Sequence, residues 1–262
     1  MSEESDENSV NPPEFLQNYR DWYQYPVLGV LIAFMLWVRT RSFERFTVNG
    51  EILFTGNDPW YHYRMIVYTV NHWPRTMPYD PWTHFSVGTN VGQFGTLFDQ
   101  LIATAALIVG LGNPTEHTIR LVTLFSPAVF GSLVAIPTYF VTKRLSGRVP
   151  ALFAALVLAL LPGQFLSRSL IGFADHNIAE PLFQTTAVVF ILIALAIGER
   201  DRPVFEQFQE RDVEGLRSVL GWSVLAGVSI ALYMWVWPPG IMLVGILGVF
   251  FTVKLSWDYW RG

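Results

Sequence analysis

The sequence predicts an all-α membrane protein of about six spanning helices with one long loop near its start. Three observations carry this. Hydrophobic side chains make up 52% of the 262 residues and charged ones 15%, a more apolar balance than soluble domains show. Several uncharged runs reach the roughly 17 to 25 residues that cross a bilayer. Between the first two of these runs lie about 80 residues rich in turn and helix-start signals, and long loops in compact proteins are usually functional. Of 17 basic residues only Lys143 and Lys254 are lysines, and 21 acidic residues bring the net charge to −4, so no polybasic surface for nucleic acid is present. With no cysteine, disulfides and thiolate chemistry are excluded, and any metal must be held by oxygen or imidazole ligands.

Residues 1–21 carry Glu3, Glu4, Asp6, Glu7 and Glu14 among Ser and Asn, too polar to bury a core, and are expected to be a disordered cytoplasmic tail. No basic stretch precedes the first apolar run, so a cleaved signal peptide is not expected and that run should remain as an anchor. Spanning helices are expected over 22–38, 121–142, 149–167, 181–198, 219–237 and 240–253, the last being the shortest. Lys143, Arg144 and Arg148 share one connection, Arg200, Arg202, Arg211 and Arg217 another, and Lys254 and Arg261 flank the end; the positive-inside rule makes all three cytoplasmic. A further apolar segment, 94–111, is interrupted by Asp99 and Gln100, and on this topology it cannot cross. It should lie in the outer interface or re-enter against protein. Arg39, Arg41 and Arg45 then fall outside, against the charge rule, although the outer loop 39–120 exceeds the length over which the rule applies.

Inside that loop Asn57 can cap a helix with Pro59 in its first turn. The helix continues through Tyr61, Tyr63, Met65, Ile66, Val67 and Tyr68 and ends near Trp73 and Pro74, an aromatic amphipathic surface helix. Tyr79, Asp80, Pro81 and Trp82, then Gly88, Gly92 and Gly95, read as turns leading to the second surface helix. No internal repeat is present.

Two acidic clusters fall at helix ends on the same outer face: Gly56-Asn57-Asp58-Pro59-Trp60 and Asp175-His176-Asn177. Asp58, Asp175 and Asn177 could together grip Mg²⁺ or Mn²⁺, which favour carboxylate and amide oxygens and keep open positions for a phosphate. Arg168, seven residues before Asp175, can present two donors to the same anion. Each feature also has a structural reading. Asp58 fits a helix cap equally well, and Asp175 and Glu180 fit acids at a helix N-terminus. His62, His72, His84 and His117 are scattered and read as interfacial or capping residues, and His176 alone is a weak signal. Trp235, Trp237, Pro238 and Pro239 fit an aromatic belt and a helix stop as well as a lipid contact. Ser167 and Ser169 lack a nearby base.

The string G-N-D-P-W-Y-H over 56–62, Asp80-Pro81-Trp82, the run R-S-L-I-G-F-A-D-H-N-I-A-E over 168–180 and the segment 235–240 resemble the catalytic subunit of oligosaccharyltransferase, most closely its archaeal branch. The resemblance covers 22–262 in order, and the combination of motifs is more specific than any one of them. It implies a GT-C glycosyltransferase fold and transfer of a glycan from a dolichyl phosphate or diphosphate carrier to the asparagine of an Asn-X-Ser/Thr sequon in an acceptor protein. It implies a multi-pass protein of the cell membrane with its active site on the extracellular face. Asp58 matches the acid of the first motif, which binds the metal and contacts the acceptor amide. Asp175 and Asn177 match the first and third positions of the second motif. That third position is usually Asp, Glu or His, so Asn177 departs from the pattern with a weaker, neutral donor. Arg168 matches the basic residue upstream, Gln93 a loop position lining the active site, and Trp235 and Trp237 the aromatic segment beside the carrier's phosphate. The family's second amide-activating carboxylate and its soluble C-terminal domain would lie past Gly262, so the chain is expected to be the N-terminal membrane portion, incomplete as a catalyst. Two alternatives are another GT-C lipid-linked sugar transferase, using Asp58 as base on a hydroxyl, and a non-catalytic subunit binding the lipid carrier.

Overall fold

The structure, a computed structural model, describes residues 22–198 and 204–261; the tail expected over 1–21 and the arginines at 200 and 202 lie outside the described residues. Helix α1 (Gln24–Thr40) leads through a 3₁₀ turn into a hairpin of β1 (Thr47–Val48) and β2 (Glu51–Ile52). Asn49 and Gly50 both take positive φ there, 52° and 83°, the conformation an Asn-Gly hairpin turn requires. Helix α2 (Asp58–His72) follows, then a second small hairpin of β3 (Tyr79–Asp80) and β4 (Thr89–Asn90), and α3 (Leu97–Val109). Helices α4 (Glu116–Leu133) and α5 (Ala135–Ser146) run on as one 31-residue rod. Then come α6 (Arg148–Leu160), the short α7 (Gln164–Arg168), α8 (Ala179–Gly198), α9 (Val204–Gln209), α10 (Val213–Val236) and α11 (Ile241–Arg261).

Among the described residues four helical stretches are long and apolar enough to cross a membrane: Glu116–Ser146, His176–Gly198, Leu216–Val236 and Pro238–Arg261. The stretch 149–167, expected as one span, is instead broken. Helix α6 stops at Leu160, because Pro162 forces Leu161 to an extended ψ of 111° and Gly163 then turns with φ +100°. Its 13 residues reach about 20 Å, short of a bilayer core of about 30 Å. The last helix is longer than expected, running to Arg261 instead of ending at Val253. Lys254 pairs with Asp258 one turn on, at 2.7 Å, so the charges that seemed to stop the helix neutralise each other along it.

Two apolar cores organise the chain. Ala151, Ala155 and Ala159 line one face of α6 and let it approach Ala135 and Tyr139 of α5, with Leu28 and Met35 of α1 closing the third side. The second core joins the loop to the bundle: Phe54, Tyr63, Ile66, Phe98, Ile102, Leu124 and Val236 interdigitate, so α2 and α3 lie packed on α4 and on the end of α10. Helices α2 and α3 are therefore clamped at one end of the bundle.

Arg39, expected at an outer surface, is fully buried. Its Nε donates to Ser169 Oγ (2.9 Å), and Nη1 donates to the carbonyls of Ala159 (3.2 Å) and Met35 (3.3 Å). The Arg39 carbonyl in turn accepts from Ile171 N at 3.2 Å. The C-terminal end of α1 is thus tied to the segment that carries Arg168 and Asp175.

Candidate active site and metal centre

Asp58 is the first residue of α2, with Pro59 behind it and Asn57 at the cap position. Neither makes a side-chain capping bond, and the Asp58 carboxylate is exposed, with no ion pair among the described residues. The capping role that the sequence allowed is not taken up. One turn along, His62 lies on the same helix face but is buried. Asp58, Tyr61, His62, Arg64, Trp82 and His176 line a cavity of about 610 Å³ at this end of the bundle. Its outer wall is held by Asp80, fully buried, which accepts from Arg64 (2.7 Å), Trp82 N (3.1 Å) and Thr83 Oγ1 (2.6 Å).

Beneath the cavity Asp175, 1% exposed, gathers its neighbours. It caps the 3₁₀ turn over His176–Ile178, accepting from Asn177 N, so the expected end-of-helix role is present, but it does more. Its Oδ1 lies 2.9 Å from His176 Nδ1 and 3.5 Å from His62 Nε2. Its Oδ2 accepts from Arg168 Nη1 at 3.3 Å and from the Asn177 side-chain amide. Arg168 also stacks on the Phe173 ring, 4.2 Å to the centroid, which fixes the guanidinium plane and leaves its remaining N–H groups for an anion. Burial alone would raise the Asp175 carboxyl, but hydrogen bonds from His176 and His62 outweigh it and hold the group well below the usual carboxylate range.

His62 is the hinge of the arrangement. Its Nδ1 faces Asp99 Oδ1 at 2.7 Å, while Nε2 faces Asp175 and, at 3.2 Å, His176 Nδ1. Burial would lower the imidazole, but the carboxylates of Asp99 and Asp175 on either side push it up to about 10. Asp99, the acid that interrupts the apolar α3, is thus turned into protein, where its Oδ1 meets His62 and its Oδ2 is buried without a hydrogen bond.

Of the residues singled out in the sequence, Arg168, Asp175 and Asn177 form one hydrogen-bonded group, and Asp58 faces the same cavity as His62 and His176. Trp237 stacks on His176, centroids 4.5 Å apart and planes 24° apart. Trp235 is half exposed and donates to Thr96 Oγ1 at 2.8 Å, and its carbonyl accepts from Thr96 N, latching α3 to the end of α10. Gln93 is exposed, its amide turned to Thr89, and it is not among the residues lining the cavity. Sequence reading undervalued His62, Asp99 and His176. The usable signals were the spacing of His62 four residues from Asp58 and the lone carboxylate in an apolar helix. His72 stays on the surface, bonded to the Tyr68 carbonyl.

The residues fit a divalent cation. One ligand atom from each of His62, Asp175 and His176 lies within 4.8 Å of the others, and a free carboxylate, Asp58, opens into the same cavity.

The profile of the family described as "Oligosaccharyl transferase STT3, N-terminal" matches residues 27–258, nearly the whole chain. The chain belongs to the STT3 family. Among STT3 relatives it is 54% identical over 258 residues to the dolichyl-monophosphooligosaccharide-protein glycotransferase AglB of Haloferax volcanii, covering 98% of this chain and 24% of that protein. It is 30% identical over 241 residues to a dolichyl-phosphooligosaccharide-protein glycotransferase of Archaeoglobus fulgidus, covering 90% and 26%. The STT3 fold is shared in three dimensions. An A. fulgidus AglB structure in complex with an inhibitory peptide and a dolichol-phosphate superposes with a TM-score of 0.76 at 28% identity, covering 88% of this chain and 26% of that one. A structure of the A. fulgidus oligosaccharyltransferase with Zn and sulfate gives 0.71 at 28% identity, covering 86% and 26%. This STT3 chain is therefore an all-α membrane protein of the GT-C type, and it spans about a quarter of the length of the relatives it matches.

Proposed function

We propose that this chain is the N-terminal membrane part of an oligosaccharyltransferase catalytic subunit. The complete subunit transfers an oligosaccharide from a dolichyl phosphate or diphosphate carrier to the asparagine of an Asn-X-Ser/Thr sequon. The observation that carries the reading is the Asp58 carboxylate, without an ion pair among the described residues, opening into a cavity also lined by His62 and His176, both of which contact Asp175, in a chain 54% identical to a protein named for that transfer. Residues 22–262 form the transmembrane domain, with the loop 39–120 and the site on the extracellular face of the cell membrane.

An amide nitrogen is a poor nucleophile because its lone pair is delocalised into the carbonyl. Asp58, exposed and without a partner among the described residues, can accept an N–H of the acceptor amide and favour the twisted form in which the lone pair is released. Arg168, stiffened by Phe173 and Asp175, offers its remaining donors to the carrier's phosphate. Trp237, stacked on His176, forms an apolar flank for the carrier beside that anion site. Asp58 and Asp175 would hold Mn²⁺ or Mg²⁺, which when bound supplies Lewis-acid stabilisation of the departing phosphate, while Asn177, the third member expected from the sequence, turns its amide nitrogen to Asp175 and braces that carboxylate. Gln93 and Trp235 border this region without entering it and would act at its edge.

The test is glycosylation of a sequon peptide by the complete gene product with lipid-linked oligosaccharide and Mn²⁺. Asp58→Ala and Asp175→Ala should each abolish transfer while membrane insertion is unchanged. Wild-type rates in either variant would sink this reading.

A further inference from the structure

Among the described residues Asp99 has one partner: Oδ1 meets His62 Nδ1 at 2.7 Å, and Oδ2 is buried with no hydrogen bond. The ring is thereby held with Nε2 directed at His176 Nδ1 (3.2 Å) and Asp175 Oδ1 (3.5 Å) and away from Asp99. This is the arrangement of a metal-binding histidine, where an outer carboxylate fixes tautomer and orientation and raises the basicity of the ligating nitrogen. Phe98, edge-on to His62 at 5.1 Å, limits any other rotation of the ring. The Asn177 amide, by contrast, donates its nitrogen to Asp175 Oδ2, so nitrogen rather than oxygen faces that carboxylate.

From this geometry we propose that His62 is itself a ligand of the divalent cation, oriented by Asp99 as a positioning residue, with Asp175 and His176 completing the buried side and Asp58 facing the cavity. The inference rests on the reading that this cavity holds a divalent cation, and it changes what the site prefers. With imidazole nitrogen in the donor set, the site should favour Mn²⁺, Co²⁺ or Zn²⁺ over Mg²⁺, which takes oxygen almost exclusively.

The experiment measures Mn²⁺ binding to the complete gene product in detergent, by titration and by pulsed electron paramagnetic resonance, with natural and ¹⁵N-labelled histidine. The wild type should show histidine nitrogen coupled to Mn²⁺. His62→Gln should weaken Mn²⁺ binding about 10- to 100-fold and remove one nitrogen coupling, and Asp99→Asn should weaken it about 10-fold while the coupling remains. Unchanged affinity and coupling in His62→Gln overturns the inference while leaving the site in place. A wild-type signal free of histidine nitrogen overturns it with no variant at all, which covers the case in which His62→Gln fails to fold. Mn²⁺ binding indifferent to Asp175→Ala overturns both the inference and the site beneath it.

Discussion

Asp80 holds the outer wall of the cavity, and its removal should loosen that wall without unfolding the bundle. The carboxylate is fully buried and accepts three hydrogen bonds, one of them charged. Breaking a buried ion pair by deleting one partner costs about 3–5 kcal/mol, because the other charge is stranded. Here Arg64 is 35% exposed, so its guanidinium can rehydrate, and the exposed Trp82 backbone can do the same. That brings the expected cost of Asp80→Ala to about 2–3 kcal/mol. Expressed as local opening, this is about 30- to 150-fold faster amide hydrogen exchange over residues 79–90. The pH dependence has a definite sign. Burial alone would raise Asp80, but the hydrogen bonds from Thr83, Arg64 and the Trp82 backbone outweigh it and lower the group. A lowered folded value means the contribution is complete above the unfolded carboxyl value of about 4 and is lost as pH falls through the folded one. Protection of the loop should therefore be flat from pH 8 to 5, after correction for intrinsic exchange, and should decline only in more acid solution. Equal exchange in Asp80→Ala and wild type, or a loss of protection between pH 8 and 6 that Asp80→Ala abolishes, would refute the reasoning.

Gly95 sits at φ +78°, where a built Cβ would stand 2.3 Å from the Val236 carbonyl oxygen. Gly95→Ala should cost about 2–4 kcal/mol from left-handed strain and backbone displacement, seen as a lower thermal midpoint and a blue or red shift in Trp235 fluorescence as the latch opens; an unchanged midpoint would show the latch to be slack. A single cysteine at Asn113, in a chain with none of its own, should react with an impermeant reagent from outside intact cells. Labelling from the cytoplasm alone would mean that α3 crosses the membrane.

Much of the architecture is legible in the sequence because its signals are local. The start of α2 follows from Asn57, Asp58 and Pro59, and the helix ends at His72 where Trp73-Pro74 predicts. Where the structure departs from the hydropathy pattern, backbone chemistry and charge pairing outweigh it. Apolarity over 149–167 masked the break that Pro162 and Gly163 impose, and Lys254 looked like a terminus because its partner Asp258 was not paired with it. Within the site, the motif acids and Arg168 were visible as short strings. The His62–Asp99 contact was not, since it joins residues 37 apart on two different helices and no periodicity says which histidine a lone buried acid will meet. Burial, which decides that His62 is held between carboxylates while His72 stays on the surface, is set by how α2 docks on α3 and α4.

The buried Arg39 has a consequence in time. Its guanidinium cannot lose its charge, and two of the groups that accept its hydrogens, the Ala159 carbonyl and Ser169 Oγ, lie 120 and 130 residues downstream. At about 5–20 residues per second, the ribosome needs roughly 6–26 s after making α1 to deliver them. Until then a permanent cation at the end of the first helix has only its own helix to satisfy it, and α1 must keep that end at the aqueous boundary. Its final seat is available only once α6 and α7 have emerged, so the last adjustment of the first helix and the placing of the Arg168–Asp175 segment are one event in biogenesis.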